Sequence, residues 1–230
     1  MKGGKVLEPF VTVLIPAYNE AATIATTVYA VRRIPEVGQV VVVDDGSTDE
    51  TAIRARQAGA EVERLEKNQG KGSALNHGAS RVKGSIVALV DADLGESAAE
   101  IAKLLAPVVA GEAEMAVARF PPTLRVGGFG LVKGLARRGI YWLARVEMRA
   151  PLSGQRVMTR EVWEQVLPLE PGFGMEVGMT LRAARLGFRI REVDLSLTHR
   201  ETGRDWSGFR HRGRQFYHVL GALYRGALEK

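Results

Sequence analysis

The chain of 230 residues contains no cysteine, so no disulfide holds its fold and no thiol takes part in its chemistry. It also lacks an apolar run long enough to cross a bilayer. Near the N-terminus, Glu8 and Pro9 interrupt the apolar stretch, and no small-residue cleavage site of a signal peptide follows. We therefore expect a cytoplasmic protein that is held together by its hydrophobic core.

A large apolar fraction and an excess of positive charge are what the sequence does contain. Hydrophobic residues make up 46% of the chain, enough for one large α/β domain or one domain with a small appended lobe. The net charge of +6 favours anionic partners such as nucleotides, phosphates or a membrane surface. Nucleic acid is also anionic, but no nucleic-acid-binding module is recognised, so we do not expect it as a partner.

The most informative stretch is a short apolar segment that runs directly into two carboxylates. Residues 86–90 read as a buried parallel strand, and Asp91, Ala92 and Asp93 follow it. Ligands of open α/β sheets bind beyond the carboxyl ends of the strands. Asp91 and Asp93 are two residues apart, so an extended chain places both on one side, where their oxygens suit Mg²⁺ or Mn²⁺. The alternative is that Asp93 only caps the next helix.

Polar segments also follow the other predicted strands. The strand 11–15 leads into Pro16-Ala17-Tyr18-Asn19-Glu20, and the strand 39–43 leads into the acidic segment 44–49. Turn and cap chemistry explains part of these segments, but not two adjacent aspartates after a run of valines. Gly70-Lys71-Gly72 at a predicted helix start offers open backbone, a helix N-terminus and a cation to a phosphate. A flexible solvated loop is the alternative for that segment.

Strands and helices alternate five times up to residue 118, which predicts a three-layer α/β fold with a mostly parallel central sheet. The pattern changes at Arg119. We expect the segment 119–130 to be a mobile lid, because it has loop composition and follows a sheet strand. A basic amphipathic helix is predicted over 130–149, and a strand over 188–198 leads into His199. The remainder is basic and aromatic.

Four ordered motifs carry a resemblance. They are Ile-Pro-Ala-Tyr-Asn-Glu, Val-Asp-Asp-Gly-Ser-Thr-Asp, Gly-Lys-Gly and Asp-Ala-Asp, and together they look like a family-2-type glycosyltransferase with the GT-A fold, a Rossmann-like sandwich. Gly127-Gly128, Gly-Phe-Gly-Met-Glu-Val-Gly over 172–178 and Thr-His-Arg over 198–200 resemble glucosyl-3-phosphoglycerate synthases and mannosylglycerate synthases. The resemblance implies a metal-dependent enzyme that transfers a sugar from a UDP- or GDP-sugar to an anionic acceptor, such as a phosphorylated small acid.

The resemblance also implies a role for individual residues. The donor pocket would be formed by Pro16, Ala17, Tyr18, Glu20, Asp45, Lys71, Asp91 and Ala92. The Mg²⁺ or Mn²⁺ ion would be bound by Asp93 and His199. The acceptor would be bound by Arg125, Gly127, Gly128 and Arg137. For His199 the alternative is a surface histidine that follows a strand.

The chemistry of the reaction agrees with these roles. Cleavage of a sugar–diphosphate bond builds negative charge on the leaving phosphate, which a divalent ion and Lys71 would stabilise. An inverting enzyme also needs a carboxylate base near the acceptor hydroxyl, and Glu176 at a glycine-rich helix start is the candidate. The alternative for Glu176 is a carboxylate that stabilises the helix dipole or positions substrate. The sequence leaves retention and inversion open.

The chain divides by predicted role into a nucleotide-sugar-binding half, 1–118, and an acceptor-binding half with a basic C-terminal helix, 119–230, of a single GT-A domain. A polyprenyl phosphate is an alternative acceptor, with the helix after Gly213 lying on an anionic membrane surface. A homodimer is left open. Two other classes compete: a sugar-nucleotide nucleotidyltransferase, which usually has a Gly-rich basic loop after strand one, and a non-catalytic nucleotide-binding module. Pro-Ala-Tyr-Asn-Glu in that loop argues against the first class, and intact Asp91, Asp93 and Lys71 argue against the second.

Overall fold

The structure is a computed structural model that describes residues 10–120, 129–170, 172–195 and 206–228. The strands in these ranges are β1 (Val11–Ala17), β2 (Val37–Asp44), β3 (Glu61–Arg64), β4 (Ile86–Leu89), β5 (Met115–Arg119), β6 (Arg156–Thr159) and β7 (Ile190–Asp194). The α-helices are α1 (Ile24–Arg32), α2 (Thr51–Gln57), α3 (Lys71–Gly78), α4 (Ala102–Val109), α5 (Phe129–Ala144), α6 (Arg160–Val166), α7 (Met175–Arg185) and α8 (Trp206–Leu228).

The seven strands form one sheet in the order β3-β2-β1-β4-β6-β5-β7. All neighbouring pairs are parallel except those of β6, which runs antiparallel to both β4 and β5. An antiparallel strand starts at the end of the sheet where the previous strand finished, so no crossover is needed to return the chain to the amino ends of the strands. The chain leaves β5 at the carboxyl edge, forms α5 and re-enters the sheet from that same edge as β6. The predicted α/β fold with a mostly parallel sheet is confirmed.

Two buried clusters lie on opposite faces of the sheet. Successive β1 residues alternate between them, as the period of a strand requires: Leu14 belongs to one cluster, and Val13 and Ile15 to the other. Helices α1, α2 and α4 contribute to the second cluster, whereas α3, α5, α6, α7 and α8 contribute to the first. The arrangement is therefore a three-layer sandwich, and strands of the second half, β6 and β7, lie in the same sheet as those of the first.

α1 begins at Ile24, and Asn19 before it has a left-handed conformation (φ 55°) and accepts a hydrogen bond from the loop after β2 through its side chain. One helix has different bounds from those predicted. α5 ends at Ala144 rather than at Arg149, because the chain turns at Arg145, where φ is 57°. In the described part of the chain, none of the helices combines the length and the apolar character that crossing a bilayer requires.

Candidate active site

The order β2-β1-β4 brings three motifs that are far apart in the sequence to one edge of the sheet. The segments that follow these strands begin at Tyr18, Asp45 and Val90, and all leave from the carboxyl ends. Pro16 lies opposite Val43 of β2, but beyond Leu14, the last β1 residue that pairs with β4. The site predicted from the sequence is therefore assembled at one edge, as the general rule for such sheets expects.

The segments after β1 and β2 are joined by hydrogen bonds. The backbone N–H of Asn19 donates to the Ser47 hydroxyl (2.9 Å), and the Asn19 side-chain oxygen accepts from the backbone N–H of Thr48 (2.8 Å). The N–H of Glu20 donates to the Thr51 hydroxyl (2.8 Å). These bonds fix the backbone of the Pro-Ala-Tyr-Asn-Glu motif. They leave the Tyr18 side chain 45% exposed at the edge where a nucleoside is expected.

Asp45 is buried, and its carboxylate holds the loop that precedes α3. One oxygen accepts from the backbone N–H of Gln69 and the other from that of Gly70, both at 2.8 Å. Gly70 has a φ of 89°, which glycine adopts readily, and the helix begins at the next residue, Lys71. Asp45 thus orients the loop that carries the lysine. The contact with base or ribose that the resemblance implies for Asp45 stays a prediction.

Lys71 and Asp91 form an ion pair at the centre of the edge. The Lys71 ammonium lies 2.5 Å from Asp91 Oδ1, and about a third of each side chain is exposed, 31% and 30%. Burial lowers the pKa of Lys71, but the charges of Asp91 and Glu176 outweigh it and raise that pKa. The lysine is therefore a permanent cation at neutral pH. The two groups that the sequence assigned to the donor do come together.

A third side chain of this cluster was not predicted. Gln155 precedes β6, is 1% exposed, and donates from Nε2 to Asp91 Oδ2 (2.5 Å). A Cβ added to the neighbouring Gly154 would lie 2.4 Å from the Lys71 ammonium, so the glycine leaves room for the pair. From the sequence alone, Gly154-Gln155 is interpreted only as part of a turn before a short strand. Its place beside Asp91 follows from the pairing of β6 with β4.

Glu176 lies in the first turn of α7 and is 7% exposed. Burial raises the pKa of its carboxyl group, an effect that the positive charges of Lys71 and Arg156 oppose without cancelling. The charge of Asp91 adds to the rise. A carboxyl group with a raised pKa near a cationic site has the properties expected of a general base or of a substrate-positioning group.

Arg156, the first residue of β6, is fully buried and was also missed. Its guanidinium donates to the carbonyls of Ser153 (2.9 Å) and Pro151 (3.2 Å) and to the Thr180 hydroxyl on α7 (2.9 Å). Burial lowers its pKa to about 10, which leaves it charged at neutral pH. It joins the segment before Gln155 to α7, whose first turn contains Glu176.

Asp93 carries the feature expected of a metal ligand. Its Oδ1 is buried, and among the described residues no hydrogen-bond donor reaches it. Ala92, which precedes it, accepts from the Thr27 hydroxyl through its carbonyl (2.9 Å). A desolvated carboxylate oxygen without a partner fits a hard divalent cation. No group of three acidic or histidine side chains forms a cation site within the described ranges, and His199 lies outside them.

Of the predicted acceptor residues, Arg137 is described by the structure, while Arg125, Gly127 and Gly128 lie outside the described residues, as does most of the predicted lid. Arg137 is exposed on α5 and lines a cleft of about 640 Å³. The other residues that line the cleft are Gly134, Leu135, Arg138, Tyr141, Glu147 and Met148. Glu147 and Met148 belong to the connection between α5 and β6, which also supplies Gln155.

Comparison with known proteins agrees with this geometry. The model of glycosyl transferase family 2 matches residues 12–137, more than half of the chain. The chain belongs to this family, and it is a nucleotide-sugar-dependent glycosyltransferase. Among its relatives, the glucosyl-3-phosphoglycerate synthase of Mycobacterium tuberculosis is 32% identical over 224 residues, with 86% of this chain and 69% of the relative covered.

Solved structures of that synthase from Mycobacterium tuberculosis are similar to the whole described fold. The complex with Mg²⁺ and uridine diphosphate has a TM-score of 0.79 at 29% identity, with 95% of this chain and 79% of that chain covered. The complex with Mn²⁺, UDP-glucose and phosphoglyceric acid has a TM-score of 0.75 at 30% identity, with 94% and 80% covered. The GT-A fold expected from the sequence is thereby confirmed.

Proposed function

We propose that the enzyme transfers a sugar from a UDP-sugar, with glucose the first candidate, to an acceptor with a phosphate or carboxylate group, and that a divalent ion is required. The observation that carries the proposal is the cluster at the carboxyl edge: the Lys71–Asp91 pair lies two residues from Asp93, whose buried Oδ1 has no partner among the described residues. The relatives that hold UDP-glucose, Mn²⁺ and phosphoglyceric acid support the same three ligands.

The donor would lie across the segments that follow β1, β2 and β4. Tyr18, with its exposed ring, would stack on the nucleoside, with Pro16, Ala17 and Glu20 at its sides. Lys71 would contact the diphosphate, since its ammonium lies at the first turn of α3, where a helix N-terminus also favours an anion. Asp91 and Ala92 would face the ribose or the sugar.

Asp93 would hold the metal, together with His199. When bound, the ion would offset the negative charge that builds on the diphosphate as the sugar leaves. Lys71 would add a fixed positive charge to the same side of the donor, and its raised pKa keeps that charge in place at neutral pH. The leaving group therefore needs no proton from the protein.

Glu176 is assigned to the acceptor hydroxyl. Buried near two cations, Lys71 and Arg156, its carboxylate would accept the hydrogen bond of that hydroxyl, and in an inverting reaction it would also take the proton. Because Glu176 and Gln155 both belong to the second half of the chain, the acceptor half proposed for 119–230 also completes the donor site. Donor and acceptor would meet between β4 and α7.

The anionic group of the acceptor would lie in the cleft beside Arg137 and Arg138. A planar guanidinium can bind a phosphate or carboxylate through two parallel hydrogen bonds, which suits this task better than an ammonium. Glu147 also lines the cleft, so two of the three charged side chains in its lining are positive. The cleft fits a small phosphorylated acid, in agreement with the phosphoglyceric acid bound by relatives.

The same anionic chemistry also occurs in a polyprenyl phosphate, and one observation favours that source. α5 and α8 pack on one another and together contain no acidic residue. Trp142 is 78% exposed on α5, and exposed apolar residues of α8 recur along one face: Tyr217, Leu220, Tyr224 and Leu228. A cationic, aromatic helix pair of this kind fits an anionic membrane surface.

One experiment separates the parts of the proposal. Purified protein is incubated with UDP-glucose, other UDP-sugars or GDP-sugars, with Mn²⁺, Mg²⁺ or EDTA, and thermal stability and donor hydrolysis are measured. Each active donor is then tested with phosphoglyceric acid, with a polyprenyl phosphate in anionic liposomes, and with a neutral sugar. Transfer to phosphoglyceric acid supports the soluble acceptor, and transfer confined to liposomes supports the lipid. Equal activity in EDTA, or transfer only to the neutral sugar, would overturn the proposal.

A further inference from the structure

The side chain of Gln155 makes two hydrogen bonds, and both go to the same residue. Its side-chain Nε2 donates to Asp91 Oδ2 (2.5 Å), and its Oε1 accepts from the backbone N–H of Asp91 (3.1 Å). With a relative exposure of 1%, the amide is removed from water. A buried amide whose donor and acceptor are both used by one neighbour acts as a clamp on that neighbour.

The hydrogen-bonding groups of Asp91 determine the orientation of the Gln155 amide. A backbone N–H can only donate, so the group of Gln155 that faces it must be the oxygen. The nitrogen is then directed at the carboxylate of Asp91, which can accept it when ionised. An exchange of the two amide atoms would set a donor against a donor and an oxygen against an oxygen.

The clamp leaves Asp91 with a defined set of contacts. Oδ2 is held by Gln155, Oδ1 is held by Lys71 at 2.5 Å, and 30% of the side chain is still exposed. If the diphosphate of the sugar donor binds the Lys71 ammonium, Lys71 no longer holds Asp91. Of the described side chains bonded to the Asp91 carboxylate, Gln155 is then the one that still holds it. Gln155 is 1% exposed, so its amide is shielded from a bound sugar donor and would act on that donor through Asp91.

We infer that Gln155 is a positioning residue, which holds Asp91 in the rotamer that meets the donor after Lys71 has turned to the diphosphate. The inference rests on the proposed function, because it takes the donor contact of Asp91 from there. It adds a residue of the second half of the chain, delivered by β6, to the machinery that selects and orients the donor.

The test compares Gln155→Leu with a matched control, Gln39→Leu. Gln39 is also a buried amide, 6% exposed, that bonds to the Thr12 hydroxyl (2.7 Å), but it lies near the start of β2, at the opposite end of the sheet. Both variants lose buried hydrogen bonds, so both lose some stability. We expect the donor KM to rise roughly 10–100-fold in Gln155→Leu alone, as for other groups that orient a ligand-binding carboxylate. The acceptor KM stays unchanged in both.

A double-mutant cycle shows whether Gln155 acts through Asp91. In the background Asp91→Asn, the change Gln155→Leu should have little further effect on the donor KM, because the group that it positions is already altered. A full additional rise would mean that Gln155 acts on the donor by another route, and the inference would then be wrong. The cycle with Gln39→Leu should be additive.

Two further measurements keep the inference testable if Gln155→Leu does not fold. Gln155→Glu keeps the shape but sets a carboxylate against Asp91, so it should weaken donor binding at least as strongly. Crystal structures of the UDP complexes of the wild type and of either variant should show the Asp91 carboxylate displaced in the variant. An unmoved Asp91, or normal donor kinetics in Gln155→Glu, overturns the inference. Failure of the wild type to bind any UDP-sugar overturns the proposed function instead.

Discussion

The ammonium of Lys71 contacts the carboxylate of Asp91, so the two charged groups that are proposed to bind the donor neutralise one another in the free enzyme. An isolated charge at a partly buried edge would be unfavourable, and the pair removes that problem. Each side chain keeps about a third of its exposure, which leaves the pair open to exchange with a ligand. Donor binding then exchanges one ion pair for another and does not have to uncover a buried charge.

The first prediction concerns the space that Gly154 leaves for this pair. In Gly154→Ala the new Cβ would lie 2.4 Å from the Lys71 ammonium, so that group must move away from Asp91. The ammonium is the far end of a flexible side chain, so it can move without a shift of the backbone. We expect the donor KM to rise by about tenfold, measured by initial rates, with unfolding little changed. Gly221→Ala on α8 is the control, since its Cβ meets nothing closer than 3.5 Å; equal kinetics of the two variants would contradict the prediction.

The second prediction concerns the buried oxygen of Asp93. Asp93→Asn removes a carboxylate that has no partner at Oδ1 among the described residues, so the unliganded protein should be as stable as the wild type or more stable. The extra thermal stabilisation that UDP gains from Mn²⁺ should disappear. Differential scanning fluorimetry with UDP, with and without Mn²⁺, measures both effects. Asp194→Asn, at an exposed ion pair with Arg119, serves as the control; an Asp93 variant with an intact Mn²⁺ effect would refute the assignment.

The third prediction concerns turnover. Glu176→Gln keeps the size of the side chain but cannot take a proton, so kcat should fall by roughly 10²–10⁴ while the donor KM changes little. Saturation kinetics in both substrates provide the measurement. A kcat near that of the wild type would reduce Glu176 to a residue that stabilises the start of α7.

The fourth prediction is a pH dependence of stability that arises from Glu176. Because burial raises the pKa of Glu176 above its usual 4.5, the folded chain keeps this proton at pH values where the unfolded chain has lost it. The contribution of Glu176 to stability therefore decreases as the pH rises through that window. The Glu176→Gln variant has no such proton to lose. Its free energy of unfolding should therefore increase relative to that of the wild type as the pH rises from 4.5. Parallel denaturation curves at all pH values would contradict the raised pKa.

The fifth prediction concerns the acceptor cleft. Arg137→Ala removes a guanidinium from the wall of the cleft, so the KM for an anionic acceptor should rise about tenfold, which corresponds to about 1.4 kcal/mol. Donor binding, measured by calorimetry, should stay the same. Arg56→Ala, an exposed arginine on α2, controls for the loss of one positive charge. If both variants weaken acceptor binding equally, long-range electrostatic attraction explains the effect, and a specific contact in the cleft does not.

Much of the fold could be predicted, because alternation of strands and helices is encoded locally. The direction of β6 could not. A strand of four residues carries no signal for parallel or antiparallel pairing. The pairing of β6 with β4 and β5 depends on the path that the chain takes through α5. The end of α5 was missed for a similar reason, since the left-handed turn at Arg145 leaves no glycine in the sequence.

The proximity of Lys71 and Asp91 could also be predicted, since each follows or precedes an element that meets the same edge of a parallel sheet. Gln155 and Arg156 could not, because their partners are distant in the sequence: Gln155 meets Asp91 across 64 residues and Arg156 meets Thr180 across 24. The motif identified Asp45, but nothing in it indicates that both carboxylate oxygens accept hydrogen bonds from the backbone before Lys71. Motifs identify the groups that meet ligands more readily than the groups that support them.

The position of β6 between β4 and β5 has a consequence for biosynthesis. As the chain leaves the ribosome, β4 and β5 are made well before the strand that joins them, and each has an unpaired edge until residue 159 has emerged. Exposed edges of apolar strands associate with other chains. A product that stops at residue 118 would keep both edges permanently and should accumulate as aggregates. The two halves of the chain therefore share one folding event.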